Sequence, residues 1–220
     1  MLRILITGGT GFVGSHMIDY LLKNVPDVII YASRRWRSRD ENIKHLYGNP
    51  NVIFIESDLL DSVSMMELVR TSQPDYIFHF AAQSFPGASF LIPVKTVMTN
   101  TLGTINLLEA VRHFKDRGTC NPRVISVSTS EVYGMPLENE VPIKETNPIR
   151  AANPYSISKV GHDLFSQYYQ QAYGLDIIIT RMFSHEGSRR GKQFALSSFA
   201  RQIAIYERQY NKGGWPKIIP

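Results

Sequence analysis

The sequence contains one cysteine, Cys120, which excludes an internal disulfide, and no His or Cys stands near it at metal-ligand spacing. No metal site is expected. Long apolar runs are missing as well. Nothing approaches the roughly 20 consecutive apolar residues that span a bilayer, and the opening MLRILITGG lacks the apolar core and cleavage site of a secretory signal. The expectation is a cytoplasmic protein in a reducing compartment. Internal repeats and low-complexity tracts are also lacking.

What remains has the make-up of an ordinary globular chain: 220 residues, 43% hydrophobic and 20% charged, enough for one well-buried core. The formal net charge of +5 is concentrated in SRRWRSR, Ser33 to Arg39, where four arginines surround a tryptophan. Such a run suits nucleic acid, a single phosphate group or plain solvation. Its neighbours in the sequence favour the phosphate, and no nucleic-acid or membrane partner is expected.

Apolar runs recur at Arg3–Thr7, Val28–Ala32, Val52–Glu56, Tyr76–Ala81, Val124–Ser128 and Asp176–Met182. They are nearly continuous rather than alternating, as in strands covered on both faces. Helix-like segments intervene at His16–Lys23, Ser62–Thr71, Val94–His113 and Pro154–Tyr173, the last with Asn153 as N-cap, Pro154 in the first turn and Gly174 beyond the end. Alternation of this kind predicts an α/β fold, a doubly wound parallel sheet of Rossmann type. Residues 1–182 read as a dinucleotide-binding domain and 183–220 as the start of a substrate-binding region. The final GGWPKIIP reads as a turn feeding a further strand, so a truncated chain is expected.

TGGTGFVG joins the first strand to the first helix and places Gly8, Gly11 and Gly14 at three-residue intervals. Glycines there allow a tight turn and close approach of backbone to a pyrophosphate, and the helix N-terminus attracts its negative charge. The second strand ends in YASRR. Binders of NAD usually carry an acidic residue near that point, and here Arg34 and Arg35 stand instead, which favours the 2′-phosphate of NADP. At least one of Arg37 and Arg39 reads as solvated. Asp58 and Leu59, after the third strand, fall where an adenine would lie.

Two further motifs carry chemistry. STSEVYG places Thr129 and Glu131 two residues apart after a strand, and extended backbone would send both side chains to one side. NPYSISK places Tyr155 and Lys159 one helical turn apart, where an ammonium favours the phenolate and equips the tyrosine as a base. His79 reads as a core residue, Tyr168 and Tyr169 as a helix core face, and Cys120 as an unactivated thiol.

Together with HFAAQS, SRRWRSRDENIKHLYGNPN and RMFSHEGSRRGKQF, these motifs resemble the extended short-chain dehydrogenase/reductase family over nearly the whole chain, most of all its GDP-mannose 4,6-dehydratase branch. The resemblance implies a catalytic set of Thr129, Glu131, Tyr155 and Lys159. For the cofactor it implies Gly8, Thr10, Gly11, Phe12, Val13, Gly14, Arg34, Arg35, Asp58, Leu59, the stretch Phe80, Ala81, Ala82, Gln83 and Ser84, both Tyr155 and Lys159, and finally His185 and Arg190. It further implies NADP, a nucleotide-sugar substrate with GDP-mannose first, and a homo-oligomer, dimer or tetramer, in which the loop from Arg34 to His45 reaches a neighbouring subunit. Phe85, Pro86 and Ser184 depart from the branch's pattern and leave the sugar nucleotide open. A UDP-glucuronate decarboxylase, another epimerase or reductase of the family, and a non-catalytic dinucleotide-binding domain stand as alternatives.

Overall fold

In the computed structural model, residues 1–210 are described; the GGWPKIIP turn lies outside them. The chain divides into two compact units, Met1–Phe183 and Ser184–Pro220.

The first unit is built on six parallel strands: β1 (Leu2–Thr7), β2 (Val28–Arg34), β3 (Val52–Glu56), β4 (Tyr76–His79), β5 (Arg123–Val127) and β6 (Ile177–Thr180). Their order across the sheet is β3-β2-β1-β4-β5-β6, and every pairing is parallel. The predicted doubly wound sheet is therefore present. β1 carries neighbours from both halves of the chain, so the crevice at the strand carboxyl ends opens between β1 and β4, where ligands of such folds sit.

Strand periodicity explains why these runs are apolar throughout. Leu5 and Ile77 point into a cluster with Leu68, Leu107 and Val111, whereas Ile4 and Ile6 point into another with Ile18 and Ile30. Both faces of the sheet are covered. Helices α1 (Phe12–Asn24), α2 (Ser62–Ser72), α5 (Gly103–Asp116) and α6 (Pro154–Tyr173) supply the cover, and the short α3 (Pro86–Leu91) and α4 (Pro93–Val97) pack against α6. α2 starts on Asp61, whose carboxylate accepts from the Val63 and Ser64 amides. α6 starts on Asn153 with Pro154 behind it and ends on Gly174 at φ 61°, as its sequence punctuation predicts.

Three expectations need correction. Val94–His113 is helical throughout but not uniformly α: a π turn, Met98–Leu102, closed by the Gly103 amide on the Met98 carbonyl, lies between α4 and α5. Side-chain bonds hold Asn100 within this turn, and Gly103 lies so close to Leu59 that an added Cβ would sit 2.7 Å from Leu59 Cβ. Strands β4 and β6 stop at His79 and Thr180, short of Ala81 and Met182. Tyr169 is buried as expected, but Tyr168 is half exposed.

The second unit contains α7 (Ala195–Tyr210). Among the described residues, no helix is long and apolar enough to cross a membrane, and no cluster of His, Cys, Asp or Glu could hold a metal ion.

Candidate active site

Because all six strands run the same way, their carboxyl ends bring the sequence motifs to one edge. After β1 the chain turns on Gly8 at φ 73°. A Cβ on Gly14 would meet the Gly8 carbonyl at 2.3 Å, while one on Gly11 would meet that oxygen alone, at 3.2 Å. Gly14 is thus needed for packing, and Gly11 leaves the N-terminus of α1 open on its outer side, with Thr10, Phe12 and Val13 around it. Thr10 is held by Asn42, whose amide donates to its carbonyl at 3.2 Å.

After β2 and β3 lies a cleft of about 660 Å³ lined by Arg35, Trp36, Arg37, Glu56, Ser57, Asp58, Asp61 and Ser64. The expected pair of arginines is split. Arg35 lines the cleft together with Arg37, whereas Arg34 donates to the Tyr47 hydroxyl at 3.3 Å. Two of the cleft's carboxylates are occupied by backbone: Asp58 accepts from the Leu60 amide and Asp61 caps α2. Ser57 Oγ is buried and has no hydrogen-bond partner among the described residues. Leu59 spends its side chain in the core and its carbonyl on Asn106.

Beyond β4, Phe80 to Ser84 cross the crevice. Asn100, in the π turn, accepts from the Gln83 amide at 2.8 Å, donates to the Gln83 carbonyl at 3.0 Å, and donates to Ser158 Oγ at 2.8 Å. This asparagine ties the crossing to α6. Sequence reading missed it, since its only local signal, a polar residue inside an apolar helix pattern, is weak.

After β5 the backbone does not stay extended. A 3-10 turn, Ser130–Tyr133, begins at Thr129, whose Oγ1 accepts the Glu131 amide at 3.3 Å. Thr129 and Glu131 are therefore adjacent, through a cap and not through strand alternation. The Glu131 carboxylate accepts from Asn153 Nδ2 at 3.0 Å. Since Asn153 also caps α6, the carboxylate is tied to the start of the helix that carries Tyr155 and Lys159. Tyr155 is 8% exposed and Lys159 3%.

Lys159 Nζ donates to the Val127 carbonyl at the end of β5. Burial pushes its ammonium down to about 7, partly opposed by the Asp163 carboxylate one turn on. Asp163 is fully buried and forms a forked pair with Arg181, at 2.8 and 3.2 Å.

Beneath these residues runs a buried polar chain. Thr7 Oγ1 meets His79 Nδ1 at 2.7 Å, Thr104 Oγ1 lies 3.0 Å from His79 Nε2 and 2.8 Å from His162 Nδ1, and Ser126 Oγ meets His162 Nε2 at 2.7 Å. Thr104 donates to the Asn100 carbonyl at 2.7 Å, so its oxygen accepts from both rings and each imidazole is satisfied as the neutral form. Burial, with the Lys159 charge second, lowers His79 to about 3 and drives His162 down as well. His79 is the core residue that its sequence position implies.

His185 and Arg190 belong to the second unit, where Arg190 donates to the His185 carbonyl at 2.9 Å, pairs with Glu186 at 3.0 Å and stacks over Phe194.

Comparison with known proteins places this arrangement. A family model described as GDP-mannose 4,6 dehydratase matches residues 5–213. GDP-mannose 4,6-dehydratase of Yersinia enterocolitica is 34% identical over 210 residues, which are 93% of this chain and 55% of that protein. UDP-glucuronic acid decarboxylase 1 of Arabidopsis thaliana is 35% identical over 193 residues, 86% of this chain and 41% of that one. The crystal structure of a dTDP-glucose 4,6-dehydratase from Streptomyces venezuelae, with NAD and TYD bound, superposes with a TM-score of 0.83 at 30% identity, covering 93% of this chain and 62% of that one. The chain thus spans about half the length of the curated relatives it matches. With its parallel sheet, glycine turn and Tyr-x-x-x-Lys helix, it belongs to the nucleotide-sugar 4,6-dehydratase family of extended short-chain dehydrogenases/reductases.

Proposed function

We propose that this chain is the dinucleotide-binding part of an NADP-dependent nucleotide-sugar 4,6-dehydratase, acting on GDP-mannose. The observation that carries the reading is the tie between Glu131 and Asn153, which sets a carboxylate beside Thr129 and at the head of the Tyr155–Lys159 helix. In this reading residues 1–182 hold the dinucleotide and 183–220 begin the region that holds the sugar nucleotide.

The residues present fit the cofactor. The open side of Gly11 at the α1 N-terminus accommodates a pyrophosphate. Ser57, Arg35 and Arg37 line a cleft fit for a ribose phosphate. The Streptomyces relative holds NAD; the two arginines are what favours NADP here. When bound, the nicotinamide supplies hydride acceptance and return.

The chain's own residues supply the proton chemistry. Thr129 Oγ1 already accepts the Glu131 amide, which leaves its O–H to donate a hydrogen bond to the sugar O4 without losing its proton. Tyr155 takes the O4 proton, and the Lys159 ammonium steadies the phenolate. Oxidation at C4 acidifies the C5 hydrogen. Glu131 removes that proton and then protonates the departing C6 hydroxyl, so a single carboxylate serves as base and then as acid.

The test is to incubate the full-length protein with GDP-mannose, dTDP-glucose and UDP-glucuronate and follow 4-keto-6-deoxy sugar and carbon dioxide. A 4-keto-6-deoxy product from GDP-mannose is expected. Carbon dioxide from UDP-glucuronate would favour the decarboxylase reading, to which the Arabidopsis relative lends support. No product from any of the three would leave a dinucleotide-binding domain without this chemistry.

A further inference from the structure

Arg181, the first residue past β6, plays no part in the chemistry outlined above, yet its guanidinium has partners on three separate segments. Nε and Nη2 grip the two oxygens of Asp163 on α6, and Nη1 donates to the Tyr133 hydroxyl at 3.0 Å and to the Glu145 carbonyl at 2.9 Å. The planar group also lies over the Tyr133 ring, 5.2 Å from its centre. Asp163 is fixed on its other side by Gln167 at 2.6 Å.

The placement of these partners is informative. Asp163 follows Lys159 by one turn and Tyr155 by two, on the same face of α6. Tyr133 closes the short turn that begins at Thr129 and carries Glu131. Two backbone bonds also hold that turn, Ser130 N to the Met182 carbonyl and Arg150 N to the Val132 carbonyl, each 2.9 Å. Glu131 is tied to the α6 N-cap through Asn153, and Arg181 adds a second side-chain link, from Tyr133 at the end of the turn to Asp163 further along the helix. A buried ion pair adds little stability over an apolar replacement, and a lysine would keep the charge while losing the fork, so the geometry points to a positional role.

We propose that Arg181 is a positioning residue, a strut between Asp163 and Tyr133 that holds the Glu131 carboxylate in register with Tyr155 and Lys159. The proposal rests on the dehydratase reading. It implies a split between the half-reactions. Oxidation at C4 uses groups fixed on α6 and at the Thr129 cap, and is insensitive to a small shift of the end of the turn. Removal of the C5 hydrogen depends on where Glu131 stands, and misplacement of about 1 Å costs up to about a hundredfold.

The test uses full-length enzyme. Arg181→Ala removes the whole strut but leaves Asp163 buried without its partner and is liable to unfold; Tyr133→Phe removes one hydrogen bond and keeps the ring. In single turnovers, rapid quench measures formation of the 4-keto hexose, and loss of deuterium from C5-labelled sugar nucleotide measures elimination. Tyr133→Phe is expected to slow C5 exchange about tenfold while oxidation stays within about twofold. Arg181→Lys is expected to show the same split, because it keeps the charge without the fork. If both steps slow alike, if neither slows, or if oxidation suffers more, the strut is overturned and the dehydratase reading stands. If the wild type yields no 4-keto-6-deoxy sugar from any of the three sugar nucleotides, both fall together.

Discussion

In the proposed reaction, Glu131 separates two steps that share one pocket. Oxidation needs Tyr155, Lys159 and Thr129 around one hydroxyl, while loss of water needs a group that accepts and then donates a proton. Glu131→Gln matches the size and keeps an oxygen for Asn153 but cannot accept the C5 proton. It is expected to bind cofactor and sugar nucleotide normally, to form the 4-keto hexose, and to lose about 10²- to 10⁴-fold in dehydration; full C5 exchange in this variant would reduce Glu131 to a polar capping residue. Tyr155→Phe should stop the reaction before oxidation. The arginines offer a second contrast, since Arg35 and Arg37 line the cleft and Arg34 is bonded to Tyr47. Arg35→Ala with Arg37→Ala is expected to weaken NADP about 10- to 100-fold with little effect on NAD, measured by calorimetric titration. Equal losses for both nucleotides would refute the phosphate assignment. Lys159 adds a pH signature. Its ordinary value is near 10.4 and burial lowers it to about 7 in the folded chain, so the unfolded chain binds the extra proton between these values. The penalty of burying the ammonium is then complete below about pH 7 and fades as pH rises toward 10. Lys159→Met should therefore show its greatest gain in Tm over the wild type near pH 6 and a smaller one near pH 10, in cofactor-free melts.

Among the elements, α6 does the most. Its first turn holds Tyr155, its second Lys159 and its third Asp163, and the sequence announces its start and end because caps are local signals. The π turn between α4 and α5 is not announced in the same way. Asn100 within it grips Gln83 and Ser158, 17 and 58 residues away in the chain, and a helix pattern of apolar residues runs straight through the turn. The buried chain through His79, Thr104 and His162 joins β4, α5 and α6, and it makes a prediction at this scale. Both imidazoles are neutral in the folded state, with His79 near 3, whereas an unfolded histidine titrates near 6.5. Stability is present above 6.5 and is lost as pH falls through that value toward 3, because the unfolded chain takes up protons that the folded one refuses. Each ring contributes about 1.4 kcal/mol per pH unit in that interval. His79→Asn should reduce the slope of unfolding free energy between pH 6 and pH 4 by about that amount, measured by urea titration, and an unchanged slope would mean the ring is protonated in place.

For the molecule as a whole, we propose an oligomer on two grounds. Trp36 is 79% exposed on the arginine loop, and α6 leaves Ile157, Leu164, Phe165 and Tyr168 uncovered at helical spacing. Leu164→Glu with Phe165→Glu should lower the mass found by light scattering for the full-length protein, and a wild type that is monomeric at saturating cofactor would refute the expectation. The sequence by itself determined the alternation of strands and helices, the parallel sheet, the glycine turn and the spacing of Tyr155 and Lys159. Each of these is written in neighbours a few residues apart, through periodicity, caps and turn chemistry. Only the tertiary structure decided which arginines face the cleft, that Thr129 and Glu131 meet through a turn and not along a strand, and that Arg181 reaches Asp163 and Tyr133, 18 and 48 residues away. Such contacts are set by how the packed sheet and helices bring distant segments to one edge, and backbone periodicity carries no record of them.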